Sequence, residues 1–230
     1  LLAVSSLLVS SARESLFYVN ILLGVFSVLL VFAIVLRATR RRTIAAAAAL
    51  GLAALPVHMT YSASLSADTA GLFFLLLSIW AFGEWTRRRE RVFLFLALFA
   101  GAYSGCVKPV NFGVALIAWG SVTAWLFRKR TMTARELGDV LYYGACVFVP
   151  SAIVMARASV LETQVASGAI YSVGYLKEHL LSNVVYLFDP AQSSPLLTFL
   201  CCLGLVWLFR VARDAFSTGM AAWLALGFLV

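Results

Sequence analysis

Of 230 residues, 63% carry hydrophobic side chains and only 12% are charged, more apolar surface than a soluble core of this size could hide. A soluble globular domain is therefore excluded, and the class is an all-α polytopic transmembrane helix bundle. The formal net charge of +8 does not point to nucleic acid, because the basic residues stand in short clusters directly after apolar runs, the pattern that orients helices in a membrane.

The chain starts and stops inside apolar sequence, without an initiator methionine, and is read as a fragment forming a single transmembrane domain over 1–230. Leu1 to Ser11 lacks the positive segment of a cleavable signal, so targeting is expected to reside in upstream or internal helices. Leu16 to Leu36 is 21 residues without a charge, about 31 Å as a helix and enough to cross a hydrocarbon layer of about 30 Å. It ends in Arg37, Arg40, Arg41 and Arg42.

A second span runs from Ile44 to about Met59, and Pro56 is expected to kink or end it. A third runs from about Ser66 to Trp85 and stops at Arg87, Arg88, Arg89 and Arg91. Val92 to Val107 and Pro109 to Phe127 form a short pair closed by Arg128, Lys129 and Arg130. A sixth span covers about Val140 to Ala156. A polar-enriched loop over 157–194 follows, then spans from Pro195 to Phe209 and from Ser217, which makes about eight spans in all.

Assigned to alternate sides, 14 Lys and Arg residues fall on one face and four, Arg13, Lys108, Arg157 and Lys177, on the other. The richer side is expected to be cytoplasmic. Trp85, Trp125 and Trp207 sit near those clusters, as interfacial anchors would. In the 157–194 loop, Val173, Leu176, Leu180, Val184 and Leu187 recur every three or four residues, predicting an amphipathic helix on the membrane surface. The four cysteines fall within spans at no metal-type spacing. They imply no disulfide framework.

Chemistry is expected where the apolar pattern breaks. Pro56 to Asp68 holds a proline, a histidine, five hydroxyl side chains and a carboxylate between two apolar runs, polarity that beside hydrocarbon usually lines a cavity. Ser64 or Ser66 can cap the third span, leaving Asp68 in its first turn. There the helix dipole favours a carboxylate whether or not it is functional. As a site residue it is suited to act as a general base, bind a divalent cation or hold a sugar hydroxyl.

Lys108 is the one charge in Ala100 to Ala118 and would cost about 2.5 to 3.5 kcal/mol at mid-membrane. Pro109 disfavours helix at Lys108 and suits the first position of a new helix, so the chain is expected to break there. A lysine beside a helix N-terminus suits an anion such as phosphate, with Asn111 as a further donor, although snorkelling or ordinary capping would account for either residue. His58 and Tyr61 flank the same cavity. His179 has no second ligand at metal spacing, and Glu84 is a local charge partner for the arginines. No phosphate-binding loop, dinucleotide fingerprint or serine elbow is present.

The order Arg-Ala-Thr-Arg-Arg-Arg (37–42), Pro-Val-His-Met-Thr-Tyr-Ser (56–62), Ser-Ala-Asp (66–68) and Gly-Ala-Tyr-Ser-Gly-Cys-Val-Lys-Pro (101–109) resembles the membrane glycosyltransferases of the GT-C class. Within that class it is most similar to the protein O-mannosyltransferases and the lipid A aminoarabinose transferases. The resemblance is best from about Phe17 to Phe127. It implies a polyprenyl-phosphate-linked sugar donor and a protein, lipid or glycan acceptor. It also implies residence in the cell (plasma) membrane, with the active site on the extracytoplasmic face.

On this resemblance Asp68 matches a cavity carboxylate that in some relatives helps bind a divalent cation, the one cofactor implied. Lys108 matches a lysine that meets the donor phosphate. The acceptor's base would belong to an outer loop preceding Leu1. A transporter with a midplane site at the helix break, or a non-catalytic membrane subunit, is the alternative.

Overall fold

An apolar run can shelter its peptide groups from lipid only by closing them into a helix, and every span expected in the described part of the chain is one. The computed structural model describes residues 12–64, 66–107 and 109–163, and among these there is no strand. In chain order the helices are α1 (Ala12–Thr39), α2 (Arg42–Ala54), α3 (Pro56–Ser62), α4 (Ala67–Arg88), α5 (Arg91–Val107), α6 (Pro109–Arg128) and α7 (Ala134–Thr163). Leu16–Thr39, Ala67–Arg88 and Ala134–Val154 are long and apolar enough to cross a membrane, while Arg42–Ala54 and Arg91–Val107 are shorter apolar helices. The amphipathic helix and the two spans expected beyond it lie outside the described residues.

As expected of Pro56, the span drawn from Ile44 to Met59 breaks there into two helices: Leu55 is extended (φ −66°, ψ 122°) and Pro56 opens α3; a residue before proline is pushed out of helical geometry. One boundary differs from expectation. At the other end α7 is 30 residues long and passes through Pro150, so Arg157 to Thr163 continue the helix where a loop was expected. Pro150 removes one N–H from the ladder without ending the helix.

The helices that carry the expected site form a packed series. α4 is central: 56% of its apolar window is buried, against 22% for α1 and 6% for α7. It lies between α1 and α5, and α5 in turn carries α6 and α7. α1 and α4 run parallel in one register, since Asn20 meets Ser66, Phe26 meets Phe73 and Arg37 meets Glu84. α4 and α5 run antiparallel, with Phe74 on Tyr103 at 4.3 Å and Trp80 on Phe93 at 6.0 Å between ring centroids.

Small side chains make this closeness possible. Ala97, Ala100, Gly101, Ala102, Ser104 and Gly105 are the buried residues of α5 along with Leu94 and Leu98, and small residues let membrane helices approach where a hydrophobic driving force is missing. At Gly101 the ring of Trp119 on α6 lies against the Cα, so that an added Cβ would stand 2.0 Å from Trp119 Cη2. Trp119 is itself wedged among Phe82, at 6.1 Å, and Phe148, at 5.4 Å. Leu22, Leu29, Leu50, Val92, Leu141 and Tyr142 are more than half exposed on the outside of the bundle, as lipid-facing residues would be.

One end of the bundle is dense in arginine. Buried Glu84 receives Arg37 from α1 at 2.6 Å, Arg87 at 2.6 Å and Arg88 at 2.9 Å, and Arg37 also donates to the Gly83 carbonyl. Arg91 grips Asp139 of α7 with two bonds of 3.0 and 3.1 Å. Three turns at this end close on a left-handed arginine, Arg40 (φ 56°), Arg89 (φ 59°) and Arg130 (φ 55°). That conformation costs a non-glycine residue about 1 to 2 kcal/mol, offset in part by setting a cation at a helix C-terminus. Trp85, expected at the lipid interface, is instead 2% exposed in the core. The guanidinium of Arg89 covers its ring at 5.2 Å, so the indole serves the turn from inside.

Two stability predictions follow from this packing. Gly101→Ala has no room unless Trp119 moves, and overpacking of this kind costs about 1 to 3 kcal/mol; a lower thermal midpoint in detergent is expected, and an unchanged midpoint would contradict the contact. Glu84→Gln keeps the shape but strips the charge from a carboxylate holding three guanidinium groups, and should cost roughly 1.5 to 3 kcal/mol. A midpoint equal to wild type would show that the cluster contributes nothing.

Candidate functional site

The opposite end of α4 carries the expected site. Ser66 is extended (φ −85°, ψ 136°) and caps the helix, its Oγ accepting from the Asp68 N–H at 3.1 Å. That Oγ donates its own proton to Asp68 Oδ2 at 2.8 Å. Asp68 is thus half-buried in the first turn, with its carboxylate steered by its neighbour as well as favoured by the helix dipole.

The turn before Ser66 is held from α1. Asn20, buried among apolar neighbours, donates through Nδ2 to the carbonyls of Ser64 at 2.6 Å and Ser66 at 2.9 Å. Sequence reasoning passed over Asn20. An amide inside 21 uncharged residues was the available signal, since burying it without partners costs about 1 to 3 kcal/mol.

On the far side, a second chain of bonds links three helices. Ser104 of α5 is fully buried and donates to the Gly71 carbonyl of α4 at 2.7 Å, while accepting from Asn111 Nδ2 of α6 at 2.9 Å. Gly71 lies one turn beyond Asp68, and Asn111 lies in the first turn of α6. The expected donor Asn111 is therefore engaged in a bond inside the bundle. This bond brings the starts of α4 and α6 to one end.

Lys108 lies outside the described residues. On either side of it, α5 runs to Val107 and α6 from Pro109, and the two pack together through Gly101 on Trp119 and Ser104 on Asn111, the latter at the same end as Asp68.

His58 and Tyr61, expected to line the cavity, occupy different settings. His58 is buried against α1, its ring beside Gly24. A Cβ at Gly24 would stand 2.4 Å from Ser62 Oγ and 2.8 Å from its Cβ, so glycine here lets α3 lie on α1. Tyr61 is 40% exposed.

Among the described residues no three His, Cys, Asp or Glu side chains come together. A cavity of about 570 Å³ between α5, α6 and α7 is lined by Leu98, Leu116, Trp119, Phe127, Leu141 and Phe148 among others. It contains none of the expected site residues, and no charged side chain lines it.

No curated protein matches the chain, and no solved structure does. Residues 1–119 match the family model for dolichyl-phosphate-mannose-protein mannosyltransferase, which is just over half of the 230 residues and spans α1 to α5 and the opening of α6. The matched stretch holds Asn20, Asp68, Ser104, Lys108 and Asn111. On that match the chain belongs to the dolichyl-phosphate-mannose-protein mannosyltransferase family, and with it to the GT-C-like membrane glycosyltransferases.

Proposed function

We propose that this membrane glycosyltransferase transfers a sugar from a polyprenyl-phosphate-linked donor, with Lys108 anchoring the donor phosphate and Asp68 as a carboxylate of the same cavity. The observation that carries the proposal is the bonded path from Gly71 through Ser104 to Asn111. It ties the helix start bearing Asp68 to the helix start that follows Lys108. On this reading the two opposite charges of Asp68 and Lys108 share one end of the bundle.

The chemistry that fits is an inverting displacement. The acceptor oxygen forms a bond to the anomeric carbon as the bond from that carbon to the phosphate oxygen breaks, and the electron pair leaves with the phosphate. Negative charge grows on the leaving group. A fixed ammonium and the unpaired N–H groups opening α6 stabilise it in a site poor in water.

The acceptor's proton requires a base, and Asp68 Oδ2 already accepts from Ser66. Asp68 is better suited to hold a sugar hydroxyl or a divalent cation, and the acceptor's proton passes to a carboxylate of an outer loop, the base that the resemblance implies. The arginine end, with its cluster around Glu84, is assigned to the cytoplasmic face by the positive-inside rule. The Asp68 end then opens extracytoplasmically in the plasma membrane, in a bundle of about eight spans. Protein, lipid and glycan acceptors all fit this arrangement.

Lys108→Ala should lower transfer by about a hundredfold or more, the usual effect of deleting one charge-stabilising donor, with the extracted folded protein at wild-type level. Lys108→Arg should retain part of the activity. Wild-type turnover in Lys108→Ala would remove the phosphate assignment.

A further inference from the structure

Asn20 is placed where an apolar residue would be the simpler choice. It is 8% exposed on a helix whose neighbouring positions face lipid or core, and a buried carboxamide must be bonded to be tolerated. Both of its Nδ2 protons go to one short stretch, the Ser64 and Ser66 carbonyls, at 2.6 and 2.9 Å.

Holding α1 against α4 does not require this. The same parallel register is set by Phe26 on Phe73, at 6.4 Å between centroids, and by Arg37 on Glu84 at 2.6 Å. What Asn20 adds is local: it fixes the Ser66 peptide. A serine hydroxyl turns to suit its partners, so where its bonds point is decided by where its backbone is held. Ser66 Oγ in turn accepts from the Asp68 N–H and donates to Asp68 Oδ2.

We infer that Asn20 is a positioning residue for the Asp68 carboxylate, acting through Ser66 and not through contact with substrate. The inference rests on Asp68 being a residue of the transfer site. Asn20 holds the peptide, the peptide holds the hydroxyl, and the hydroxyl holds Oδ2. A small displacement of a reacting or binding group is costly in rate while leaving the fold nearly unchanged.

The test uses the full-length protein in its membranes, with dolichyl phosphate mannose as the donor probe and the endogenous acceptors. Asn20→Ala and Ser66→Ala should each lower kcat by about ten- to a hundredfold and leave the donor KM within about twofold of wild type, while Ser66→Thr, which keeps the hydroxyl, stays close to wild type. The double variant should be no slower than the slower single variant, because both act on one group. Should Asn20→Ala fail to accumulate, the contrast between Ser66→Ala and Ser66→Thr still decides whether the hydroxyl positions the carboxylate.

Unchanged kcat in Asn20→Ala and Ser66→Ala would overturn the inference, as would a double variant whose loss is the product of the two single losses. Asp68→Asn separates the two levels. Wild-type turnover in Asp68→Asn removes Asp68 from the site and the inference with it, whereas a slow Asp68→Asn beside a fast Asn20→Ala removes the inference alone.

Discussion

Helix α4 is gripped at its first turn from both sides, by Asn20 of α1 through the Ser64 and Ser66 carbonyls and by Ser104 of α5 through the Gly71 carbonyl. These bonds add to the Phe26–Phe73 and Arg37–Glu84 contacts, which already set α1 and α4 in register. Apolar contacts between helices vary little as one slides past another in lipid, since lipid offers similar contacts. A buried hydrogen bond is lost outright. The polar pins therefore hold the opening of α4 in place locally, and the small residues of α5 supply the close approach that lets the Ser104 bond form.

The opposite end of α4 is fixed by different means. Glu84 gathers guanidinium groups from α1 and from its own last turn, and Arg91 ties α5 to α7 through Asp139. Cations there suit the C-termini of α1, α4 and α6, whose partial charge is negative. Among the described residues the two ends differ in kind: one is a basic, ion-paired rim, and at the other hydroxyl and amide side chains bond across the helices.

Much of this was visible in the residues. Charge-free runs closed by arginines gave the spans, Pro56 marked a helix break, and Ser64 or Ser66 read as the cap before Asp68, of which Ser66 is the one that caps. All are local signals, set within a turn or two. The tertiary pins were not legible. Asn20 and Ser104 are polar residues flanked by apolar ones, and nothing near them in sequence names a partner 46 or 33 residues away. Trp85 illustrates the opposite error: its place beside an arginine cluster suggested an interface anchor, while packing drew it into the core beneath Arg89. The early loop at Arg157 failed for a related reason, since one charge does not end a helix that already tolerates Pro150.

Everything assigned to the site depends on the start of α4 and the break between α5 and α6 sharing one end, close enough for positions 68 and 108 to meet. A direct measurement is thiol cross-linking of an Asp68→Cys, Lys108→Cys pair in a background with the four native cysteines replaced. A short bifunctional reagent should join the pair rapidly in membranes, as protection from chemical cleavage between the two sites would reveal. No joining, under conditions where a Phe26→Cys, Phe73→Cys pair is joined, would contradict the account.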